Sequence, residues 1–199
     1  VTNCIITECG ARNNGGGAAW GTLRNCLLFR NAALAGGGGS YASAMIGCAL
    51  ISNTASSITA SDANGGGASG GTLIGCLLRR NAADRFGAGY NCTFRNCTIE
   101  TNTAANRSGG FFSGSAWNCV IRGNSGQYGG GAMSSTLTNC LIMNNYSKYA
   151  GAIYGGTIYQ CTVVGNRGST VDSVGGVGYN AVCVNSIIIS NTTLGVVSN

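Results

Sequence analysis

The side chains that could do acid–base or covalent chemistry are few in this 199-residue chain. Histidine is absent, which excludes serine–histidine and cysteine–histidine catalysis and histidine-bound metals. Polysaccharide cleavage and Ca²⁺ binding need at least two carboxylates close together. The chain has five, spread along its whole length: Glu8, Asp62, Asp84, Glu100 and Asp172. Eleven cysteines are the other reactive group, and their spacing matches no zinc-binding CxxC…CxxC pattern.

A repeat accounts for most of the cysteines and for many asparagines. Eight cysteines recur at spacings of 22, 22, 28, 21, 22, 21 and 21 residues, and each opens the phrase Cys–x–[Leu/Ile/Val]–x–x–Asn. We number positions in the repeat from this cysteine (0), so that the asparagine is +5. The first copy has Cys9 at +5, and a ninth copy at 186–191 has serine at 0. The two stacked ladders are Cys4, Cys26, Cys48, Cys76, Cys97, Cys119, Cys140 and Cys161, and Asn31, Asn53, Asn81, Asn102, Asn124, Asn145, Asn166 and Asn191.

The fixed part of the repeat predicts the fold. Glycine stands at −10, a small residue at −5 and an apolar residue at −3, and all length variation falls between +5 and the next glycine. A unit of 21–22 residues with short period-2 runs is too short for a helix pair and fits one turn of a β-solenoid. We predict an all-β, single-stranded, right-handed parallel β-helix of about eight rungs, forming one domain over 1–199. Chain corners are expected at −1, at the −10 glycine and at the +5 asparagine.

This register predicts that the cysteines fill the core. Positions 0 and +2 share an inward face, and the remaining cysteines, Cys9, Cys92 and Cys183, fall at +5, −5 and −3, where we also expect inward side chains. Stacked Cβ atoms lie about 4.8 Å apart, whereas a disulfide prefers about 3.8 Å. Reduced core thiols are therefore favoured over disulfides or bound metal, and we predict no metal and no cofactor.

The repeat also resembles a known group of proteins. Its [Leu/Ile/Val]xxN phrases stand beside GGGA at 15–18, 65–68 and 129–132 and AGAI at 150–153. They are similar to the FxxN and GGA[ILV] repeats of chlamydial polymorphic outer-membrane proteins and, more widely, to β-helical passengers of bacterial autotransporters. The chain departs from them by its aliphatic residue in place of phenylalanine and by its cysteine. The resemblance implies a secreted or surface-displayed bacterial β-helix, often an adhesin, and carries over no catalytic residue.

Three functions follow as hypotheses. The favoured one is a non-enzymatic structural or adhesive segment of an extracellular protein; the alternatives are an end-to-end fibre subunit and a polysaccharide lyase or hydrolase. Net charge is +6, with ten arginines among eleven basic residues, which suits an acidic glycan on a host or neighbouring cell; nucleic acid is disfavoured because no dense basic run occurs. Candidate binding residues in the variable loops are Asp62, Asp84, Arg85, Arg107, Lys148, Arg167 and Asp172. Asp62 and Asp84 fall on neighbouring loops and are the pair that an enzyme would use.

One further column is ambiguous. Position −7 carries Tyr41, Tyr90, Phe112, Met133, Tyr154 and Tyr179. Alternation with the inward −5 and −3 positions favours the core, whereas a nearby corner would turn the column outward into a stacking surface. The chain opens within a rung, so we expect a piece of a longer solenoid whose open ends favour self-association. No transmembrane segment is predicted.

Overall fold

The structure, a computed structural model, describes residues 1–57, 63–169 and 176–193, and its regular elements are short β-strands. The first nine are β1 (Ile5–Thr7), β2 (Gly10–Ala11), β3 (Ala18–Ala19), β4 (Thr22–Arg24), β5 (Leu27–Phe29), β6 (Ala32–Ala33), β7 (Ser40–Ile46), β8 (Ala49–Ile51) and β9 (Thr54–Ala55). The next ten are β10 (Ala68–Ile74), β11 (Leu77–Arg79), β12 (Ala82–Ala83), β13 (Gly89–Arg95), β14 (Thr98–Glu100), β15 (Thr103–Ala104), β16 (Phe111–Phe112), β17 (Ser115–Trp117), β18 (Val120–Arg122) and β19 (Ser125–Gly126). The last nine are β20 (Ala132–Thr138), β21 (Leu141–Met143), β22 (Tyr146–Ser147), β23 (Ile153–Tyr159), β24 (Thr162–Val164), β25 (Arg167–Gly168), β26 (Gly178–Val184), β27 (Ile187–Ile189) and β28 (Thr192–Thr193).

These strands stack into three parallel sheets, each receiving strands from successive copies of the repeat. Sheet I holds positions +1 to +3 in the order β1-β5-β8-β11-β14-β18-β21-β24-β27. Sheet II, with ten strands, holds the segment before the cysteine, and sheet III runs β2-β6-β9-β12-β15-β19-β22-β25-β28. Register follows the repeat, as in Leu77↔Thr98 and Arg79↔Glu100 between β11 and β14. The predicted parallel β-solenoid of about eight rungs is confirmed; its handedness stays a prediction.

The corners are set by residues in the left-handed backbone region. Position −1 is one of them, as predicted, for example at Asn96 (φ 53°) and Asn118 (φ 52°). The corner expected at +5 lies one residue earlier, at +4, as at Arg80 (φ 54°) and Thr101 (φ 53°). The prediction was wrong by one residue because the +5 asparagine has turned inward, where its amide bonds to the backbone of the neighbouring rung.

The −10 glycine serves close packing and does not form a positive-φ corner. A Cβ built on Gly38 would collide with the carbonyl oxygen of Thr54 in sheet III and with that of Gly66 in the next rung. The positive φ falls instead on the preceding glycine, Gly37 (φ 63°). Glycine is therefore required at −10 because two backbones approach each other there without room for a side chain.

The core is a column of aliphatic side chains and thiols between sheets I and II. Positions −3, 0 and +2 of the inner rungs are buried, as at Leu73, Cys76 and Leu78. All eleven cysteines are free thiols, of which eight are buried. Cys92 is one of the eight, as expected for position −5.

The prediction that the inward-facing cysteines are buried in the core is wrong for Cys4, Cys9 and Cys183, which are exposed. Cys183 keeps the predicted register, opposite the fully buried Ile158. Cys4, Cys9 and Cys183 lie in the first and last described rungs, where a described neighbour covers one side alone. Position in the repeat thus sets the direction of a side chain, while burial also needs a rung on each side.

The +5 asparagines form a continuous buried column between sheets I and III. In each inner rung the Nδ2 atom donates to the Oδ1 atom of the next asparagine, as from Asn81 to Asn102 at 3.0 Å. The same Nδ2 atom donates to a backbone carbonyl of the preceding rung, as from Asn102 to Leu78 O at 3.0 Å. Each Oδ1 atom also accepts a backbone N–H, as from Asn81 at 2.9 Å. The column therefore satisfies its own buried amides.

Titration of the cysteine thiols checks which of them are buried. In the native protein we expect three fast-reacting thiols, Cys4, Cys9 and Cys183, and eight more only after denaturation. Burial raises the pKa of Cys92 to about 12, so its reactive thiolate is scarce at neutral pH. An Ellman assay with and without guanidinium measures both numbers. Eleven fast thiols in the folded protein would contradict the buried column.

Candidate functional site

A stripe of aromatic rings lies where the variable loops enter sheet II; Phe86 is buried within it, and the other rings are partly exposed. The first stack consists of Phe86, Tyr90 and Phe112, with ring centroids 4.5 to 5.8 Å apart and nearly parallel planes. In a second group Tyr128 stacks on Tyr149 at 5.0 Å, and Tyr154 stacks on Tyr179 at 4.9 Å. Tyr154 meets Tyr128 edge to face at 5.2 Å. We call these seven residues the aromatic stripe.

The −7 column faces outward, so the expectation that it belongs to the core is wrong. Its neighbour at −8 is the inward residue, as shown by Phe111, which is fully buried and packs against Phe94 with centroids 5.0 Å apart. Position −6 then takes a left-handed backbone, as at Ser113 (φ 50°). This bulge absorbs one residue, so −7 faces outward while −5 still faces inward.

Three basic side chains from the candidate set lie over rings of the stripe. The Arg85 guanidinium is 5.6 Å from the Phe86 centroid, and that of Arg107 is 5.3 Å from the Tyr128 centroid. The Lys148 ammonium is 5.4 Å from the Tyr149 centroid. These distances are those of cation–π contacts, which hold a flexible cation in place. The structure therefore brings Arg85, Arg107 and Lys148 onto one surface.

The tyrosines of the second group influence each other electrostatically. Partial loss of water contact raises the pKa of Tyr154, and the nearby Tyr179 and Tyr128 raise it further. Arg107 acts in the opposite direction. The Tyr154 phenol is consequently a neutral hydrogen-bond donor at physiological pH, next to a fixed positive charge.

This arrangement suits anionic oxygens better than sugar faces. Stacked rings cover each other's faces, so most of them offer no flat surface on which a sugar ring could lie. The guanidinium groups and the phenols offer N–H and O–H donors, which match carboxylate or sulfate groups. The stripe therefore presents the donor groups that an anionic ligand would need.

The other candidate residues lie elsewhere. Asp84 ties two loops together, because its Oδ2 atom accepts the backbone N–H of Ser57 at 2.8 Å. Arg167 is in strand β25, beside Tyr146 of β22, and not in a loop as expected. Asp62 and Asp172 lie outside the described residues, so the Asp62–Asp84 pair has no described geometry.

A second cluster, missed in the sequence, lies on the outer face of sheet I. Glu100, whose side chain is 11% exposed, accepts from Arg122 Nε at 2.7 Å and lies 3.4 Å from Arg79 Nε. We call these three residues the ion triad. They line a shallow cavity of about 350 Å³ together with Thr101, Gly123 and Asn144. The sequence indicates this cluster through position +3, which carries Arg79, Glu100 and Arg122 in consecutive copies of the repeat.

No described carboxylate contacts another carboxylate. Glu100 is held by two arginines, Asp84 by a backbone amide, and Glu8 lies 3.9 Å from Arg30 with both side chains exposed. Residues 1–57, 63–169 and 176–193 contain no group of three or more cysteines and carboxylates that could hold a metal ion. In that same part of the chain, no helix has the length and apolarity needed to cross a membrane.

Comparison with solved structures gives a distant likeness. No family model matches the chain, and no curated protein sequence matches it. Its structure is similar to that of PfbA, a surface adhesin of Streptococcus pneumoniae, with a TM-score of 0.39 and 12% sequence identity, covering 96% of this chain and 61% of that one. The chain thus spans less than two thirds of PfbA. The resemblance of its repeats to polymorphic outer-membrane proteins stays a prediction.

Proposed function

We propose that this solenoid is a rigid, non-enzymatic binding segment of an extracellular or surface-displayed protein, and that it holds an acidic polysaccharide along the aromatic stripe. The observation that carries the proposal is the placement of Arg85, Arg107 and Lys148 over stacked rings in the same surface. Because successive rungs are about 4.8 Å apart, the stripe offers donors at regular steps over four rung spacings. A repeating surface of this kind suits a repeating polymer.

The absence of paired carboxylates among the described residues supports binding without cleavage. Retaining and inverting glycosidases need two carboxyl groups about 5 to 10 Å apart. The three described acids, Glu8, Asp84 and Glu100, instead bind arginines or backbone amides. A lyase or hydrolase would need catalytic groups other than these three carboxylates.

The location outside the cell is part of the same proposal. It is supported by the similarity of the repeats to those of bacterial surface β-helices and by the ligand class, since acidic polysaccharides are abundant on cell surfaces. A rigid rod of stacked rungs would also hold such a ligand away from the surface that carries it.

Titration calorimetry with heparin, polygalacturonate and neutral dextran tests the proposal. We expect the two acidic polymers to bind, with affinity falling as salt rises, and dextran not to bind. An exposed cation contributes on the order of 0.7 kcal/mol to such a contact, which is about threefold in Kd. Arg107→Gln and Lys148→Gln should therefore each weaken binding about threefold, and the double variant about tenfold.

The matched control is Arg12→Gln, which removes one exposed positive charge away from the stripe. It should bind as the unchanged protein does. Equal weakening by Arg12→Gln would show that net charge alone attracts the polymer and would contradict a site at the stripe. Shortening of either polymer on incubation would contradict the non-enzymatic assignment.

A further inference from the structure

A column of buried thiols runs through the core along the solenoid axis. The seven cysteines at position 0 from Cys26 to Cys161 occupy consecutive rungs, and each is 2–3% exposed. Because the rungs stack in register, successive sulfur atoms follow one another at the rung spacing of about 4.8 Å. We call these seven residues the thiol ladder, and the six spaces between successive sulfur atoms its intervals.

The backbone supplies polar groups to every interval. The N–H group of each cysteine donates to the Sγ atom of the next, as from Cys76 to Cys97 at 3.4 Å. The other five intervals repeat this bond at 3.3 to 3.5 Å. A carbonyl oxygen of the preceding rung also lies near the sulfur, as Leu73 O does at 3.3 Å from Cys97 Sγ. An N–H donor stabilises negative charge on sulfur, and such bonds orient and tune the thiolate ligands of metal sites.

The rung requires a hydrogen-bond acceptor at position 0, but serine meets that requirement as well as cysteine does. In the ninth copy of the repeat, Ser186 accepts the N–H of Cys161 at 3.1 Å and donates to Val184 O at 2.8 Å. The inward position −3 varies in the same rungs and includes Phe94 and Ala116. Position 0 instead keeps sulfur through all seven buried rungs. This unbroken run points to a property that serine lacks, which is the affinity of sulfur for soft metal ions.

The size of an interval suits a cation with two ligands. An ion midway between two sulfur atoms would lie about 2.4 Å from each, at 4.8 Å per rung, and metal–thiolate bonds are about 2.3 Å long. A structural zinc site instead needs four ligands, and the described part of the chain holds no group of three or more cysteines and carboxylates that could bind a metal. Zinc-binding sequence patterns, on which the expectation of no metal depends, therefore do not describe this geometry.

We propose that the thiol ladder binds a row of soft monovalent cations of the copper(I) and silver(I) class, one in each interval. Each ion replaces a thiol proton: an S–H bond breaks, an S–metal bond forms, and the proton leaves to solvent. The exchange keeps the net charge of the core unchanged, which avoids the cost of burying a charge. Each inner sulfur bridges two ions, and the sulfur atoms at the two ends of the ladder bind one each. The ladder lies in the core, so this property is independent of polysaccharide binding at the aromatic stripe.

Silver titration measures the number of ions. The exposed thiols of Cys4, Cys9 and Cys183 are first blocked with N-ethylmaleimide in the folded protein, and Ag⁺ is added as nitrate in chloride-free buffer. Incubation is long, because a buried sulfur becomes accessible only when a rung opens locally. Elemental analysis after desalting should find six Ag⁺ per chain, one for each interval, and no retained Zn²⁺ in a parallel sample. X-ray absorption should show two sulfur ligands per ion at about 2.4 Å, half the rung spacing.

Serine substitutions distinguish a row of intervals from independent thiols. Cys97→Ser interrupts the ladder and removes two intervals, so four ions should remain. Cys26→Ser removes one interval at the end of the ladder, so five should remain. The matched control is Cys92→Ser, which removes a buried thiol outside the ladder and should leave all six ions.

Each variant keeps a hydrogen-bond acceptor at its position, and circular dichroism shows whether it folds. If Cys97→Ser or Cys26→Ser does not fold, Cys161→Ser replaces it, because its neighbour in the next rung is already Ser186. This variant should retain five ions, since it removes the interval between Cys140 and Cys161.

Three results would overturn the proposal. Loss of one ion in every variant, Cys92→Ser included, would show that the thiols bind silver independently. A folded protein that retains no silver would have no site in the ladder. Three or four sulfur ligands per ion, or oxygen and nitrogen ligands in place of sulfur, would contradict the two-coordinate interval.

Discussion

Replacing Asn102 by alanine should lower the free energy of unfolding by about 4 kcal/mol. The side chain is fully buried and makes four hydrogen bonds: its Nδ2 atom donates to Leu78 O and to Asn124 Oδ1, and its Oδ1 atom accepts from the backbone and side-chain N–H groups of Asn81. Each buried group that loses its partner costs about 1 kcal/mol or more. Urea denaturation followed by circular dichroism measures the loss.

Asn106→Ala is the control for this substitution. Asn106 is an exposed loop asparagine, so its replacement should change the free energy of unfolding by less than about 0.5 kcal/mol. Equal effects of the two substitutions would mean that the asparagine column contributes no more than a surface amide.

Replacing Gly38 by alanine should be at least as damaging. The new methyl group would collide with two backbone carbonyl oxygens, that of Thr54 in sheet III and that of Gly66 in the adjacent rung. Backbone cannot move aside as a side chain can, so the two rungs must separate and lose hydrogen bonds in sheets II and III. We expect the free energy of unfolding to fall by more than about 4 kcal/mol, a loss that single substitutions cause only through a specific structural conflict. Thermal and urea unfolding of the purified variant measure this loss.

Alanine substitutions at two other glycines distinguish the effect of this collision from the ordinary cost of replacing glycine. An alanine Cβ at Gly10 or at Gly75 meets no atom within 4 Å. Gly75 has a φ of +60°, so Gly75→Ala should cost about 1 to 2 kcal/mol through backbone strain alone. Gly10→Ala should be nearly neutral. Similar losses at all three positions would show that close approach between rungs is not the cause.

The repeat predicted the architecture because its fixed spacing contains the register of every strand pair. Once Cys76 is placed above Cys97, the pairing of Leu77 with Thr98 and of Arg79 with Glu100 follows by counting. The inward direction of positions 0 and +2 followed from alternation in the same way. The same counting did not predict the exposure of the thiols in the end rungs, because burial of Cys183 depends on a further rung and not on its own position.

Local backbone conformation accounts for what the sequence did not predict. A left-handed residue at −6 reverses the aromatic column, yet the residues there include Ala42, Ser113 and Ser134, which do not mark positive φ as glycine does. The contacts of Arg107 and Lys148 with Tyr128 and Tyr149 lie in loops of variable length, where counting from the cysteine fails. The members of the ion triad share position +3, so their stacking follows from the register, whereas the burial of Glu100 between two arginines depends on side-chain conformation.

The direction of the hydrogen bonds has a mechanical consequence. In all three sheets they join one rung to the next, so they run along the long axis of the molecule and carry any load applied along that axis. A rung of 21 or 22 residues that gives way releases roughly 70 Å of extended chain, and the longer rungs release more, while the remaining rungs keep their own bonds. A tether of this kind would lengthen in large steps, one rung at a time, under shear and would absorb work at each one.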